Sequence, residues 1–181
     1  FQEVEQAFGE ISFLVHSIAF ANREDLSRPF SETGREGFRL ALEVSAYSLI
    51  PLVRHAAPLM KNGGSVVAMT FQASQRVFPS YNVMGTAKAA LEHEVRQLAF
   101  EYGEQNIRLN AISAGPMRTL AGSAITHARA LFKWNQDHAP LKEPIGLDDV
   151  GGAGVYLLSD LSAHVTGEVL HVDSGYNIIA M

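Results

Sequence analysis

From residue 65 to residue 113 the chain reads SVVAMTF (65–71), QASQRVFPS (72–80), YNVMGTAKAALEHEVRQLAFEY (81–102), GEQN (103–106) and IRLNAIS (107–113). The first and last of these pieces are short, nearly continuous apolar runs with β-branched residues, the pattern of strands buried on both faces. The Ala-rich piece between them, from about Tyr81 to Tyr102, is long enough for about six helical turns, and Gly103 is its expected C-cap. A strand, a long helix and a second strand joined by short loops make a βαβ unit, whose strands run parallel.

The same alternation continues on either side. Ile11 to Ala21 (ISFLVHSIAFA) predicts a buried strand, with His16 and Ser17 interrupting it near its end. From Arg35 to Met60 the apolar positions Phe38, Leu42, Tyr47, Leu49 and Leu52 follow a helical period, with Thr33 as the N-cap and Pro51 as a kink or break. Asn62-Gly63-Gly64 supplies a turn. Beyond Ser113, Ala114-Gly115-Pro116 stops the strand, and helices are expected over about Ser123 to His138 and Asp148 to Leu158. Val169 to Val172 predicts a fourth strand. No repeat, low-complexity segment or linker divides the chain, so residues 1–181 are expected to form a single domain. The fold class is α/β, a doubly wound parallel sheet.

Composition narrows the function. Of 181 residues 47% are apolar, enough for one good core. Lys and Arg total 14 against 19 acids, a net charge of −5, and the basic residues are scattered, which argues against a nucleic-acid binder. The absence of cysteine excludes disulfides and thiolate metal sites and suits a reducing, cytoplasmic compartment. No apolar run reaches the roughly 18 residues of a spanning helix, and no signal peptide is recognisable. The chain opens on Phe1 rather than methionine, as a segment internal to a longer gene product would.

Tyr81 and Lys88 carry the chemistry. Seven positions along an α-helix bring two side chains within about 20° of one face, about 10 Å apart along the axis. A fixed cation near a phenol favours its anion and makes it a better acid; at about 5 Å and an effective dielectric of about 20 the coupling is on the order of 3 kcal/mol, roughly two pKa units. Such a pair suits carbonyl or enolate chemistry. Ligands in open parallel sheets sit beyond the carboxyl ends of the strands. The residues leaving those ends are Ser17-Ile18-Ala19, Thr70-Phe71 and Ala114-Gly115-Pro116-Met117-Arg118-Thr119.

Together HSIAFA, SAYSL, YNVMGTAKAALE, RLNAISAGPMRTLAGS and the closing TGEVLHVDSGY resemble the NADH-dependent enoyl-acyl-carrier-protein reductases, the FabI type of the short-chain dehydrogenase/reductase superfamily. Six residues stand between Tyr81 and Lys88, the spacing of these enoyl reductases, where the superfamily at large has three. The resemblance implies a Rossmann-like fold and reduction of the trans-2 double bond of enoyl-acyl-carrier-protein thioesters in fatty-acid biosynthesis. It implies Tyr81 and Lys88 as the catalytic pair, the phenol binding the thioester carbonyl and the ammonium binding the nicotinamide ribose. Ser17, Ile18, Ala19, Thr70, Lys88, Ala114, Gly115, Pro116, Met117 and Thr119 correspond to the NADH-binding positions. Phe71, Tyr81, Met84, Leu120, Ala121, Ala128 and Leu131 correspond to the substrate pocket, with Leu120 to Leu131 as the helix that closes over the acyl chain. The family also implies a homotetramer and an acyl carrier protein partner, for which Arg118, Arg129 and Lys133 are candidate contacts; a solvated helix face accounts for the same charges. No metal is implied.

Three departures qualify this. Phe71 stands ten residues before Tyr81, where many members carry a second tyrosine. Ala128 and Leu131 replace bulkier groups. The family's opening strand, Gly-rich turn and helix, about three βα units of a doubly wound sheet, are not found in this sequence. Gly63-Gly64 and Gly151-Gly152-Ala153-Gly154 lack the strand-turn-helix context of a dinucleotide fingerprint. The chain therefore corresponds to the C-terminal two-thirds of a Rossmann-like reductase, and the strand at Ile11 to Ala21 is expected to be an unpaired apolar edge. NADPH stays an alternative to NADH, because the residues that read the ribose 2′ position follow a strand outside this chain. The alternatives in function are another short-chain reductase, or a noncatalytic fragment lacking the dinucleotide-binding half. The seven histidines show no spacing that pairs them with carboxylates, and His16 is expected to be structural; Trp134, Phe132, Asp173 and Tyr176 are expected to pack or line interfaces.

Overall fold

The alternation of apolar residues along four strands decides which side of the sheet each helix covers. The computed structural model describes residues 1–117, 119 and 128–179. Its elements are α1 (Gln2–Phe8), β1 (Phe13–His16), α2 (Arg23–Ser27), α3 (Arg35–Leu42), α4 (Leu49–Ala56), β2 (Gly64–Thr70), α5 (Val83–Tyr102), β3 (Ile107–Ala114), α6 (Ala128–His138), α7 (Leu147–Leu158) and β4 (Val169–Val172). The four strands pair in the order β1-β2-β3-β4, all parallel.

The register aligns Leu14, Val66 and Leu109, and likewise His16, Ala68 and Ala111. Successive side chains point to opposite faces, so these rows share a face. Leu49 and Val53 of α4 and Leu91 and Val95 of α5 are buried against it. Each fully buried Leu contributes about 2 kcal/mol of hydrophobic stabilisation. On the other face Val67 and Ile112 meet Leu157 of α7. Helices therefore cover both faces of a parallel sheet, the α/β architecture expected.

Several expectations need correction. β1 is four residues long and is covered on one face only: Phe13 and Val15 point away from α4 and α5 and are 55% and 46% exposed. Among the described residues no helix reaches that side of β1, so continuous apolarity there does not mean burial on both faces. Pro51 does not break the helix. The break is a π-helical stretch at Glu43–Tyr47, where the Ser48 amide reaches the Glu43 carbonyl at 3.1 Å. The helix restarts at Leu49, so Pro51 falls in the first turn of α4, where its missing N–H is not needed. Gly34, not Thr33, precedes α3, and no side chain caps it.

α5 begins at Val83, not Tyr81, because Ser80 and Asn82 take positive φ values of 65° and 40° that a right-handed helix does not accommodate. Tyr81 thus sits in a turn, outside the helix whose geometry was expected to align it with Lys88. Gly103 continues into a short 3-10 turn, and the left-handed stop falls on Asn106. α1 and α2 are short helices of seven and five residues with no buried side chain, so no apolar period announces them.

Candidate active site

The carboxyl ends of the four strands lie along one edge, with Thr70 opposite Ser113 and Ala114 opposite Val172. α5 delivers Lys88 to this edge. Its ammonium is buried and donates to the Met69 carbonyl at 2.7 Å. Burial pulls the amine down to about 8, while the carboxylate of Glu92, one turn further along α5, works against that shift. Glu92 is itself buried and accepts a hydrogen bond from the Thr70 hydroxyl at 2.8 Å. The Thr70 side chain is therefore engaged on the α5 side of the sheet.

Two residues beyond Met69, the ring of Phe71 lies 5.0 Å from that of Tyr81, tilted by 59°, and 4.7 Å from Phe78. Tyr176 approaches Phe78 at 6.3 Å. The turn holding Tyr81 is fixed by two backbone bonds: its amide donates to the Phe78 carbonyl at 3.1 Å, and its carbonyl accepts from the Met84 amide at 3.0 Å. Gly85 lets the start of α5 close on this loop, since a Cβ there would stand 2.8 Å from the Ala73 carbonyl oxygen. An open pocket beside Tyr81 is lined by Phe30, Ala73, Arg76, Phe78 and Asn82 among others.

Charge at Tyr81 runs against the sequence expectation. Burial pushes the phenol above its ordinary range, and no lowering by Lys88 offsets it. The phenol is held as a neutral hydrogen-bond donor.

The remaining sequence-derived positions fall as follows. Ser17, Ile18 and Ala19 leave β1 exposed, and the Ser45 hydroxyl ties the following Phe20 through both its amide (2.9 Å) and its carbonyl (3.1 Å). Gly115 is buried, with its amide donating to the Val172 carbonyl at 2.8 Å. A Cβ at Gly115 would meet Ile145 Cδ1 at 2.2 Å and Asp173 Cα at 2.9 Å, so the backbone needs glycine to pass. Pro116, Met117 and Thr119 follow, half-buried. Met84 is buried 3.7 Å from the Ser45 hydroxyl. Leu131 is half-buried on α6. Leu120, Ala121, Arg118 and the side chains of Ala128 and Arg129 lie outside the described residues. Lys133 pairs with Asp137 at 2.8 Å.

Around Lys88, sequence reasoning gave Glu92 no place and His16 only a structural one. Glu92 is signalled by its place four residues on along the same helix face. His16, fully buried, is signalled by strand alternation, which puts it on the covered face. Among the described residues no cluster of three or more His, Cys, Asp or Glu could hold a metal ion, and no helix is long and apolar enough to cross a membrane.

A family model described as enoyl-(acyl carrier protein) reductase matches residues 1–177. The chain is 50% identical over 179 residues to an enoyl-[acyl-carrier-protein] reductase [NADH] of Rickettsia prowazekii, covering 99% of this chain and 69% of that protein. It is 47% identical over 178 residues to enoyl-[acyl-carrier-protein] reductase [NADH] 2 of Rhizobium meliloti, covering 98% and 66%. The crystal structure of the Anaplasma phagocytophilum reductase in complex with NAD superposes with a TM-score of 0.95 at 43% identity, covering 99% and 69%. The chain spans about two thirds of the length of the curated relatives it matches.

Proposed function

The chain belongs to the enoyl-(acyl carrier protein) reductase family, and from that premise we propose that the protein reduces the trans-2 double bond of enoyl thioesters carried on acyl carrier protein, with NADH as hydride donor, in fatty-acid biosynthesis. The observation that carries this reading is the neutral phenol of Tyr81 set against Phe71 at the carboxyl edge of the sheet, with the Lys88 ammonium bonded to the Met69 carbonyl two residues before Phe71.

The residues present fit a nicotinamide cofactor. Lys88 has ammonium hydrogens beyond the one given to Met69, suited to a ribose diol. Glycine at position 115 keeps the backbone low beside Asp173, and the exposed Ser17-Ile18-Ala19 backbone leaves room along β1. Ala114, Pro116, Met117 and Thr119 extend that floor. When bound, the cofactor supplies a hydride to the β-carbon of the substrate.

Tyr81 does the protein's part of the chemistry. As the β-carbon gains the hydride, the double-bond electrons move towards the carbonyl and an enolate forms on the substrate. The phenol donates a hydrogen bond to that oxygen, and the bond strengthens as negative charge develops. A proton taken up from solvent at the α-carbon completes the saturated thioester. A phenol with a raised pKa keeps its proton through this step, as a donor must. Phe71 and Met84 wall the acyl site, with Leu131 and, by the family resemblance, Leu120, Ala121 and Ala128. Phe71 offers no hydroxyl, so Tyr81 is the phenol assigned to the carbonyl.

The protein is proposed to act in the cytoplasm, in keeping with its lack of cysteine. Assembly as a homotetramer is supported by the exposed Leu147, Val155 and Leu161 in and after α7, apolar side chains that an interface would cover. Nicotinamide oxidation measured with a crotonyl thioester and with keto substrates tests the reading. Turnover of the enoyl thioester supports it; turnover of ketones alone points to another short-chain reductase, and turnover of neither overturns it.

A further inference from the structure

The imidazole of His16 is fully buried at the end of β1, opposite Ala68, on the sheet face covered by α4 and α5. Its Nε2 lies 2.8 Å from the Ser48 hydroxyl, and that hydroxyl donates its hydrogen to the Val44 carbonyl at 2.7 Å. A serine hydroxyl has one hydrogen, so it can only accept from His16. The ring is therefore the neutral tautomer protonated at Nε2, leaving a bare lone pair on Nδ1. That Nδ1 is buried and has no hydrogen-bond partner. Leaving such an acceptor unpaired costs free energy, and a buried polar atom of this kind calls for an explanation.

Location supplies one. Met69, whose carbonyl takes the Lys88 ammonium, is the next residue along β2 from Ala68, the register partner of His16. An ammonium carries three hydrogens and one is engaged on Met69. We propose that His16 is a positioning residue for Lys88, its Nδ1 lone pair accepting, through one buried water, an ammonium hydrogen not taken by Met69. The π-helical turn at Glu43–Tyr47 ends at Ser48 and so sets the hydroxyl that locks the tautomer; π turns recur at functional sites. Burial, with the Lys88 charge as the second cause and a contact with its own backbone working weakly against both, holds His16 down to about 4, so the ring stays neutral in the neutral range. Glu92 faces Lys88 from α5 as the opposing charge.

The inference rests on the proposed function for its kinetic arm but not for its spectroscopic arm. Nitrogen-resolved NMR of the histidine rings in the unmodified protein at neutral pH is expected to show His16 protonated at Nε2 with Nδ1 bare; a proton on Nδ1 overturns the proposal. Two variants separate positioning from packing. His16→Gln places an amide where Nε2 sits and keeps the Ser48 contact while losing the Nδ1 acceptor. His16→Asn places an oxygen where Nδ1 sits and loses Ser48. The expected result is that Lys88, titrated by its side-chain nitrogen shift, falls by about one pKa unit in His16→Gln, the size of one lost hydrogen bond to a charged group, and stays in place in His16→Asn. In enoyl turnover His16→Gln loses about tenfold in kcat, equivalent to that shift, and His16→Asn recovers most of it. The reverse ranking would assign His16 to anchoring Ser48 and overturn the proposal. An unmodified protein without enoyl turnover would sink the proposed function, while the Lys88 titration would still decide the role of His16.

Discussion

The Lys88 ammonium bonds the Met69 carbonyl at 2.7 Å, tying α5 to the carboxyl end of β2 two residues before the ring that packs on Tyr81. Burial at this contact lowers the amine from 10.5 to about 8. The unfolded chain then holds a proton up to about 10.5 that the folded chain releases near 8, so stability contributed by this group rises with pH across that window. Lys88→Met is expected to remove the rise, as read by urea unfolding at steps between about 8 and 10.5.

His16 gives the same sign at the acid end. Its folded value of about 4 lies below the unfolded 6.5, so the unfolded state takes up the proton first and stability falls as pH drops from 6.5 towards 4. His16→Gln flattens this limb of the stability profile.

Glu94 behaves oppositely. Burial raises its carboxyl from 4.5 to about 7, and its Oε2 has no hydrogen-bond partner. The folded chain keeps the proton longer, so stability falls as pH rises from 4.5 through about 7. Glu94→Gln is expected to raise the unfolding temperature at neutral and alkaline pH, the gain vanishing below 4.5.

Gly85→Ala would bring a Cβ to 2.8 Å from the Ala73 carbonyl, a backbone atom that cannot swing aside. The expected cost is about 1–3 kcal/mol in stability. The loop carrying Phe78 and Tyr81 is displaced with it, so enoyl turnover is lost under conditions where calorimetry still shows a folded protein.

The sheet was readable where burial and periodicity agree. Runs such as 65–71 and 107–113 are apolar because helices cover both sides of β2 and β3, and β4 falls at Val169–Val172 as expected. β1 shares the composition but not the cover, and only its pairing with β2 shows which face is open. The π turn at Glu43–Tyr47 leaves no trace in an apolar period, and the positive φ values at Ser80 and Asn82 that move Tyr81 out of α5 are not written in residue type. At the site, Tyr81 and Lys88 stand out by spacing, yet the phenol shifts upward rather than downward, because burial, which spacing does not report, outweighs pairwise charge. His16 and Thr70 meet α4 and α5 across long stretches of sequence, so their bonds to Ser48 and Glu92 appear only in the folded chain.

The central claim is that the Tyr81 phenol, held neutral, donates to the carbonyl oxygen of an enoyl thioester. It is tested most directly by steady-state nicotinamide oxidation with a crotonyl thioester for the unmodified protein and Tyr81→Phe, with NADH affinity measured in parallel by fluorescence titration. The account predicts a fall in kcat of about a hundredfold to a thousandfold, as for loss of one donor to developing charge, with NADH affinity unchanged. Equal kcat in the two proteins would contradict it.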